Sequence, residues 1–123
     1  MKQLLVTGGA GFIGSHLVDA LITRGNNVSV FDNLTNGTLQ NIKQWLNHSN
    51  FTFIKGDLLN PADIKKLNHN QCNIIFHLAV DSEVKRGSAN PNIHFQQNIT
   101  VTCNLLETIR KTQNQPHNNS YWL

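Results

Sequence analysis

Three glycines in a regular spacing are the first feature of this chain that could do chemistry. Gly8, Gly11 and Gly14 stand in the segment TGGAGFIGSHL, directly after a short apolar run. The first glycine allows a sharp turn out of a strand, the second lets a pyrophosphate approach the backbone, and the third lets a helix pack closely on a sheet. The N–H groups and the dipole of the following helix would then face a diphosphate. The segment predicts a dinucleotide-binding turn.

An acidic residue lies at the distance that such a turn requires. Asp32 ends the segment NVSVFD, 18 residues after Gly14. A carboxylate at this place can accept hydrogen bonds from the hydroxyls of an adenosine ribose and would repel a 2′-phosphate, which favours NAD over NADP. An alternative role for Asp32 is to cap the following loop, NLTNG, through an Asx-turn. We predict the cofactor role for this carboxylate.

The segments around these residues alternate between strand and helix patterns. Short apolar or alternating runs predict four strands, at 3–7, 27–32, 51–54 and 73–79. Apolar residues at helical spacing predict helices at 12–23, 38–47, 61–67 and 91–111. The order βαβαβαβα predicts an α/β fold in which helices cover both faces of a parallel sheet.

The composition excludes several classes of protein. A chain of 123 residues with 39% hydrophobic and 14% charged residues fits one globular domain, not a collagen-like, coiled-coil or disordered chain. The net charge of +3 comes from scattered basic residues, so no nucleic-acid partner is expected. No apolar run approaches the roughly 20 residues that cross a bilayer, and no signal-peptide pattern is visible. We expect a cytoplasmic protein with no membrane partner.

The histidines and cysteines give little support for a metal site. The six histidines lack a zinc-binding spacing, and Cys72 and Cys103 belong to no C-x-x-C, so no metal is expected and each cysteine is interpreted as a buried thiol. His77 is interpreted as a buried, hydrogen-bonded residue of the fourth strand rather than as a catalyst. Trp45 is interpreted as packing between a helix and the sheet rather than as a base-stacking platform.

The motifs together resemble the extended short-chain dehydrogenase/reductase family, and within it the NAD-dependent nucleotide-sugar epimerases and dehydratases. The resemblance covers about residues 2–111, and its segments are TGGAGFIGSHL, FDNLTNG, KGDLLN, IIFHLA and QNITVTCNLLETIR. The stretches VKRGSANP and NLLE are most similar to UDP-glucose 4-epimerase-like members. The resemblance implies a Rossmann-type doubly wound parallel sheet and NAD as the cofactor.

The resemblance also implies cofactor-binding roles, residue by residue. At the pyrophosphate it places Gly8, Gly11, Phe12, Ile13 and Gly14. Around the adenosine ribose it places Asp32, Asn33, Asn36 and Gly37, and at the adenine Asp57 and Leu58. Beside the nicotinamide ribose it places Leu78, Ala79 and Val80. Asn98 matches the asparagine of the family pattern N-[VI]-x-G-T, although the run here is NITVT, with Val101 in place of the glycine.

The residues that carry proton chemistry in this family are not found in the sequence. The family uses Tyr-x-x-x-Lys with a Ser or Thr, whereas this chain has one tyrosine, Tyr121, with two residues after it. We therefore expect an NAD-binding Rossmann domain at 1–111, truncated after about four strands, and a polar tail at 112–123 with no regular structure. The chain alone is expected to be inactive, and a nucleotide sugar is expected as a partner only if the missing half is supplied. A non-catalytic dinucleotide-binding module or a truncated relic is the alternative.

The fourth predicted strand would lie at the edge of such a sheet. Its segment, NIIFHLA, is apolar and contains no Lys or Pro that would protect an edge from pairing with another chain. We therefore expect the isolated chain to self-associate or to be only marginally stable.

Overall fold

Parallel strands form a sheet at the centre of the fold. The computed structural model describes residues 1–69, 72–79, 91–112 and 121–122. Its strands are β1 (Gln3–Thr7), β2 (Asn27–Asp32), β3 (Phe51–Lys55), β4 (Ile74–His77) and β5 (Tyr121–Trp122). They pair in the order β3-β2-β1-β4-β5, and every pair is parallel. The predicted α/β Rossmann-type parallel sheet is confirmed.

Within the described ranges, three α-helices and two 3₁₀ segments connect these strands. The α-helices are α1 (Phe12–Thr23), α2 (Pro61–Ile64) and α3 (Pro91–Thr112). The 3₁₀ segments are Leu39–Trp45 and Lys65–His69. The bounds of α1 agree with the sequence prediction, and α3 is one residue longer than predicted.

The predicted helix at 38–47 is a 3₁₀ segment instead. Thr38 precedes it, and the Thr38 hydroxyl accepts a hydrogen bond from the Gln40 N–H. Ile42 is the buried residue of this segment. A short segment that buries one side chain receives little support from packing, and α-helices of that length depend on such support. The sequence pattern predicted helical structure here but not its type, and two of its apolar residues, Leu39 and Leu46, are exposed.

Both faces of the sheet are covered, as the sequence predicted. Leu4 and Val6 of β1 pack in a cluster with α1 and β2, whereas Leu5 packs on the other face with Leu105 and Ile109 of α3. Because side chains of a strand point alternately to opposite faces, a strand buried on both faces is a continuous apolar run. This explains the uninterrupted run LLV in β1.

A short fifth strand changes the expected edge of the sheet. Tyr121 and Trp122 pair with Ile74 and Ile75 of β4, in a stretch for which the sequence pattern predicted no strand. The expectation that β4 forms the edge is therefore wrong along these two residues. The backbone groups of β4 that face β5 obtain partners from the chain itself. Self-association of the chain stays a prediction, and light scattering on a size-exclusion column would measure it.

Two smaller expectations concern Trp45 and the cysteines. Trp45 packs against the β1–α1 cluster, as predicted, and its Nε1–H donates to Asp19 Oδ1 at 2.6 Å. Cys72 is partly buried, and burial raises the pKa of its thiol to about 11. Cys103 is exposed, which contradicts its interpretation as a buried thiol, because it lies on the outer face of α3. Both cysteines are free thiols.

Candidate functional site

A cleft of about 750 Å³ lies at the carboxyl ends of the strands. Its walls come from the turn after β1, the loops after β2 and β3, the end of β4, and one turn of α3. In open parallel sheets this edge is the usual place for a ligand. The lining residues are Gly8, Gly11, Phe12, Ile13, Gly14, Phe31, Asp32, Asn33, Thr35, Asn36, Gly37, Gly56, Asp57, Leu58, Leu59, His77, Leu78, Ala79, Gln97, Asn98 and Val101.

The residues proposed from sequence lie together in this cleft. Every described member of that set is among the lining residues, although they come from five separate segments of the chain. Val80 lies outside the described residues. The geometry thus brings together the groups to which the resemblance gave a common role.

The first and third glycines of the turn are required by close packing. Gly8 has φ 72°, and a Cβ there would lie 2.7 Å from the carbonyl carbon of Leu78 and 2.8 Å from the nitrogen of Ala79. A Cβ at Gly14 would collide with the Gly8 carbonyl oxygen and lie 2.8 Å from the Cα of Gly9. A Cβ at Gly11 would meet just the Gly8 oxygen, at 3.3 Å. Of these three glycines, Gly11 is therefore the one at which a side chain would disturb the packing least.

The start of α1 opens onto the cleft without a capping side chain. Gly11 is the N-cap, in extended backbone conformation, and its carbonyl accepts the Ser15 N–H at 3.0 Å. In an α-helix the first-turn N–H groups, here those of Phe12, Ile13 and Gly14, have no carbonyl partner within the helix. These donors and the positive end of the helix dipole make an anion-binding site.

Asp32 lies at the end of β2 and holds two loops together. Its Oδ2 accepts the Ala10 N–H at 3.0 Å, and its Oδ1 accepts the Leu34 N–H at 2.8 Å. The second bond is the Asx-type contact that the sequence analysis kept as an alternative. Each carboxylate oxygen can accept two hydrogen bonds, so the structural contacts leave capacity for a ligand hydroxyl. Leu34, two residues after Asp32, adopts φ 63°, a strained conformation for a non-glycine residue.

The loop after β3 is fixed by residues outside the predicted set. Asp63 of α2 accepts the Asp57 N–H through Oδ2 at 2.9 Å, and this bond, with a smaller contribution from Lys66, lowers the pKa of Asp63. Asn104 of α3 donates through Nδ2 to the Leu58 carbonyl at 2.7 Å. The loop that carries Asp57 and Leu58 is thereby held at both sides.

The sequence matches the family described as GDP-mannose 4,6 dehydratase over residues 5–121. The chain belongs to this family. The predicted resemblance to NAD-dependent nucleotide-sugar epimerases and dehydratases is confirmed, because the matching family is described as a dehydratase and the relatives include nucleotide-sugar epimerases.

Curated relatives have activities of more than one kind in their names. The chain is 37% identical to UDP-glucuronic acid decarboxylase 1 of Danio rerio, over 85% of this chain and 24% of the relative. It is 35% identical to the bifunctional UDP-glucose 4-epimerase and UDP-xylose 4-epimerase 1 of Pisum sativum, over 89% of this chain and 33% of the relative. The chain therefore spans about a quarter to a third of the length of these relatives.

A solved structure shows the same arrangement. The UDP-glucose 4-epimerase of Thermus thermophilus, in complex with NAD, is 34% identical to this chain and superposes with a TM-score of 0.78. The match covers 89% of this chain and 34% of the epimerase. This chain thus shares its fold with the matching part of a relative whose structure contains NAD.

Sequence reasoning missed several cleft residues. Six of them each neighbour a predicted residue along the chain, namely Phe31, Thr35, Gly56, Leu59, His77 and Gln97, whereas Val101 does not. The run FHLA does place His77 one residue before a predicted site residue. Position in sequence was thus a usable signal for His77, although its hydrogen-bond partners were not visible there.

His77 has a hydrogen-bond partner at each ring nitrogen, as predicted, although it is half-buried at the cleft rather than fully buried. Nδ1 lies 2.7 Å from Thr7 Oγ1, and Nε2 lies 3.1 Å from Thr102 Oγ1. The Thr102 hydroxyl donates to the Asn98 carbonyl at 2.9 Å, so it accepts from Nε2–H. Nδ1 is then the acceptor for the Thr7 hydroxyl. The bonds specify the neutral Nε2–H tautomer.

Acidification is expected to destabilise the protein through His77. Burial lowers the pKa of His77 below its ordinary value of 6.5, so below about pH 6.5 the unfolded chain takes up a proton before the folded chain does. The contribution of neutral His77 to the free energy of unfolding is fully present above that pH. It is lost as the pH drops toward the folded-state pKa, by at most about 1.4 kcal/mol per pH unit. Urea unfolding between pH 5 and 8 measures it. His77→Phe should remove this contribution, and an unchanged pH dependence in that variant would contradict the assignment.

The described residues contain no candidate metal cluster and no candidate membrane-spanning helix. Across residues 1–69, 72–79, 91–112 and 121–122, no group of three or more His, Cys, Asp or Glu side chains could hold a metal ion. No helix in the described part of the chain is long and apolar enough to cross a bilayer.

Proposed function

We propose that this chain binds NAD in the cleft, as the cofactor-binding portion of an NAD-dependent nucleotide-sugar epimerase or dehydratase. The observation that carries the proposal is the meeting of three features at one edge of the sheet: the uncapped start of α1, the close-packed glycine turn, and the Asp32 carboxylate. Membership of the family and the NAD complex of a solved relative support it.

The cleft offers suitable groups for each part of the dinucleotide. The N–H groups of the first turn of α1 would bind the pyrophosphate, and Gly11 leaves the space that the phosphates need. Phe12 and Ile13 are 79% and 72% exposed, and a ligand over the start of α1 would cover them. We assign the adenosine ribose to Asp32, Asn33, Asn36 and Gly37, and the adenine to Asp57 and Leu58. We assign the nicotinamide ribose to Leu78, Ala79 and Val80, with Asn98 at the α3 wall.

The reaction proposed for the complete machinery is removal of a hydride from C4 of a nucleotide sugar and its return. NAD supplies the hydride acceptor when it is bound. This chain would hold and orient the cofactor, while a Tyr-x-x-x-Lys pair, absent from these 123 residues, would handle the proton. The nucleotide sugar becomes a partner where those residues are supplied.

Gly11→Asp is expected to separate NAD binding from folding. Gly11 has extended backbone angles open to any residue, and Asp is a favourable N-cap. A Cβ at this position lies 3.3 Å from the Gly8 oxygen, and the capping bond offsets this close contact, so the variant should stay folded with a stability near that of the wild-type chain. Its carboxylate would occupy the anion site and repel the pyrophosphate, which should weaken NAD binding by about 100-fold or more.

Calorimetric titration with NAD and thermal unfolding measure the two effects on the same samples. Gly11→Ala is the matched control, because its methyl group makes the same 3.3 Å contact with the Gly8 oxygen as the Cβ of Gly11→Asp and adds no charge. Its affinity for NAD should fall less than that of Gly11→Asp. Equal affinity of the wild-type chain and Gly11→Asp would contradict the placement of the pyrophosphate.

The chain alone is expected not to interconvert UDP-glucose and UDP-galactose. The physical reason is that these residues provide no tyrosine–lysine pair to take and return the proton. A coupled assay with added NAD, on protein made in a host that lacks its own epimerase, measures the turnover. Measurable turnover would show that residues other than such a pair can move the proton. NAD binding without turnover is the outcome that the proposal requires.

A further inference from the structure

A line of hydrogen bonds joins the floor of the cleft to α3. It runs from the backbone after β4 to Thr7, then to His77, and then to Thr102. We call this line the Thr7–His77–Thr102 chain. Thr7 is fully buried at the end of β1, and Thr102 lies on the side of α3 that faces the sheet. The Thr7–His77–Thr102 chain of hydrogen bonds therefore links β1, β4 and α3 where all three border the cleft.

Thr7 is the hub of this chain because its hydroxyl oxygen serves two backbone donors. It accepts the Leu78 N–H at 3.1 Å and the Ala79 N–H at 3.2 Å. The Leu78 N–H also bonds to the Thr7 carbonyl at 3.0 Å. With both lone pairs of the hydroxyl oxygen used, the hydroxyl proton must point elsewhere, and His77 Nδ1 is the acceptor that receives it.

The same backbone segment rests on the glycine turn. A Cβ at Gly8 would lie within 2.8 Å of Leu78 and Ala79 backbone atoms, so these atoms pack directly over Gly8. β4 lies on the opposite side of β1 from β2, so the segment borders the half of the cleft away from Asp32. Any shift of Leu78 and Ala79 would change the width of that half.

We propose that His77 is a positioning residue for the dinucleotide: its neutral ring orients the Thr7 hydroxyl, which holds the Leu78–Ala79 backbone against Gly8. The proposal rests on the proposed NAD binding. It assigns His77 no contact with the reacting atoms. The half of the cofactor beyond the pyrophosphate depends on this segment, whereas the ADP half lies against α1, β2 and the loop after β3.

Two substitutions of His77 divide its hydrogen bonds. The side-chain oxygen of His77→Asn lies close to the position of Nδ1, so this variant keeps an acceptor for Thr7 and loses the bond to Thr102. The amide nitrogen of His77→Gln reaches the position of Nε2, so this variant keeps the donor to Thr102 and loses the acceptor for Thr7. His77→Phe keeps an aromatic ring at this position and loses the hydrogen bonds to both Thr7 and Thr102.

Affinities for NAD and ADP, measured by calorimetry on the whole chain, test the proposal. His77→Gln and His77→Phe should bind NAD about tenfold more weakly, while their affinity for ADP changes less than about threefold. His77→Asn should stay within about threefold of the wild-type chain for both ligands. Hydrogen exchange of the Ala79 amide should accelerate in His77→Gln and His77→Phe and stay slow in His77→Asn.

Three results would overturn the proposal. They are unchanged NAD affinity in His77→Gln, equal losses in His77→Asn and His77→Gln, and parallel losses of NAD and ADP that indicate general loosening. If the wild-type chain binds neither ligand, the proposed function has failed, and the positioning role fails with it. The Ala79 exchange pattern would then still decide whether His77 orders the segment over Gly8.

Discussion

Replacing Gly8 with alanine is expected to lower the free energy of unfolding by about 3 kcal/mol or more. Two costs add at this residue. An alanine at φ 72° is strained, and its methyl group would lie 2.7 to 2.8 Å from backbone atoms of Leu78 and Ala79. Those residues follow the last residue pair of β1 with β4, and their N–H groups donate to Thr7, so they cannot move away without breaking these hydrogen bonds. NAD binding should be lost with the turn.

Gly25→Ala is the matched control for the backbone strain. Gly25 has φ 87°, yet a Cβ there would have no atom within 4 Å. This variant should lose about 1 kcal/mol, the cost of a left-handed alanine alone. Urea unfolding followed by circular dichroism measures both variants. Similar losses at the two positions would contradict the importance of the contact between Gly8 and the end of β4.

The segments with strong local patterns were the ones that the sequence predicted correctly. α1 has apolar residues at helical spacing, follows a glycine turn and ends at Gly25, and its bounds agree with the prediction. β1 and β2 were equally clear because a buried run and an alternating run both end at residues that cannot continue a strand. The residues proposed from sequence lie in the cleft wherever the structure describes them, since most of their motifs lie at strand ends, which a parallel sheet brings to one edge, but the other lining residues were not proposed.

The parts that the sequence did not predict depend on contacts between distant segments. Thr7 and His77 are 70 residues apart and meet because β1 pairs with β4 in one register. Asn104 reaches the Leu58 carbonyl across 46 residues. The pairing of β5 has the same origin, since the aromatic pair Tyr121–Trp122 adopts a strand where the edge of β4 offers partners. No local sequence pattern indicates which of these distant segments come into contact.

Asp32 combines two roles that the sequence analysis treated as alternatives. Its carboxylate accepts the Ala10 and Leu34 N–H groups, and the cleft still exposes it to a ligand. The cap and the ribose contact are therefore compatible. This compatibility has a practical consequence, because a substitution at Asp32 changes stability and cofactor choice together and the two effects must be measured separately.

Asp32→Ala is expected to lower stability and to weaken the preference for NAD. Removal of the carboxylate leaves the N–H groups of Ala10 and Leu34 without their acceptor; the buried Ala10 donor costs about 1 to 3 kcal/mol, and the part-buried Leu34 donor costs less. The wild-type chain should bind NAD at least about tenfold more tightly than NADP, because the carboxylate repels the 2′-phosphate. In Asp32→Ala the two affinities should approach each other to within about threefold.

Asp32→Asn distinguishes the charge of this side chain from its hydrogen bonds. The amide oxygen can still accept the Leu34 N–H, but the amide nitrogen would face the Ala10 N–H, so the loss of stability should be smaller than in Asp32→Ala. The negative charge is absent from both variants, so both should lose the discrimination against NADP to a similar extent. Urea unfolding and paired titrations with NAD and NADP give the two quantities for each variant. If Asp32→Asn kept the full preference for NAD, the charge of Asp32 would not be its cause. If the wild-type chain bound both cofactors equally, Asp32 would serve the two loops alone.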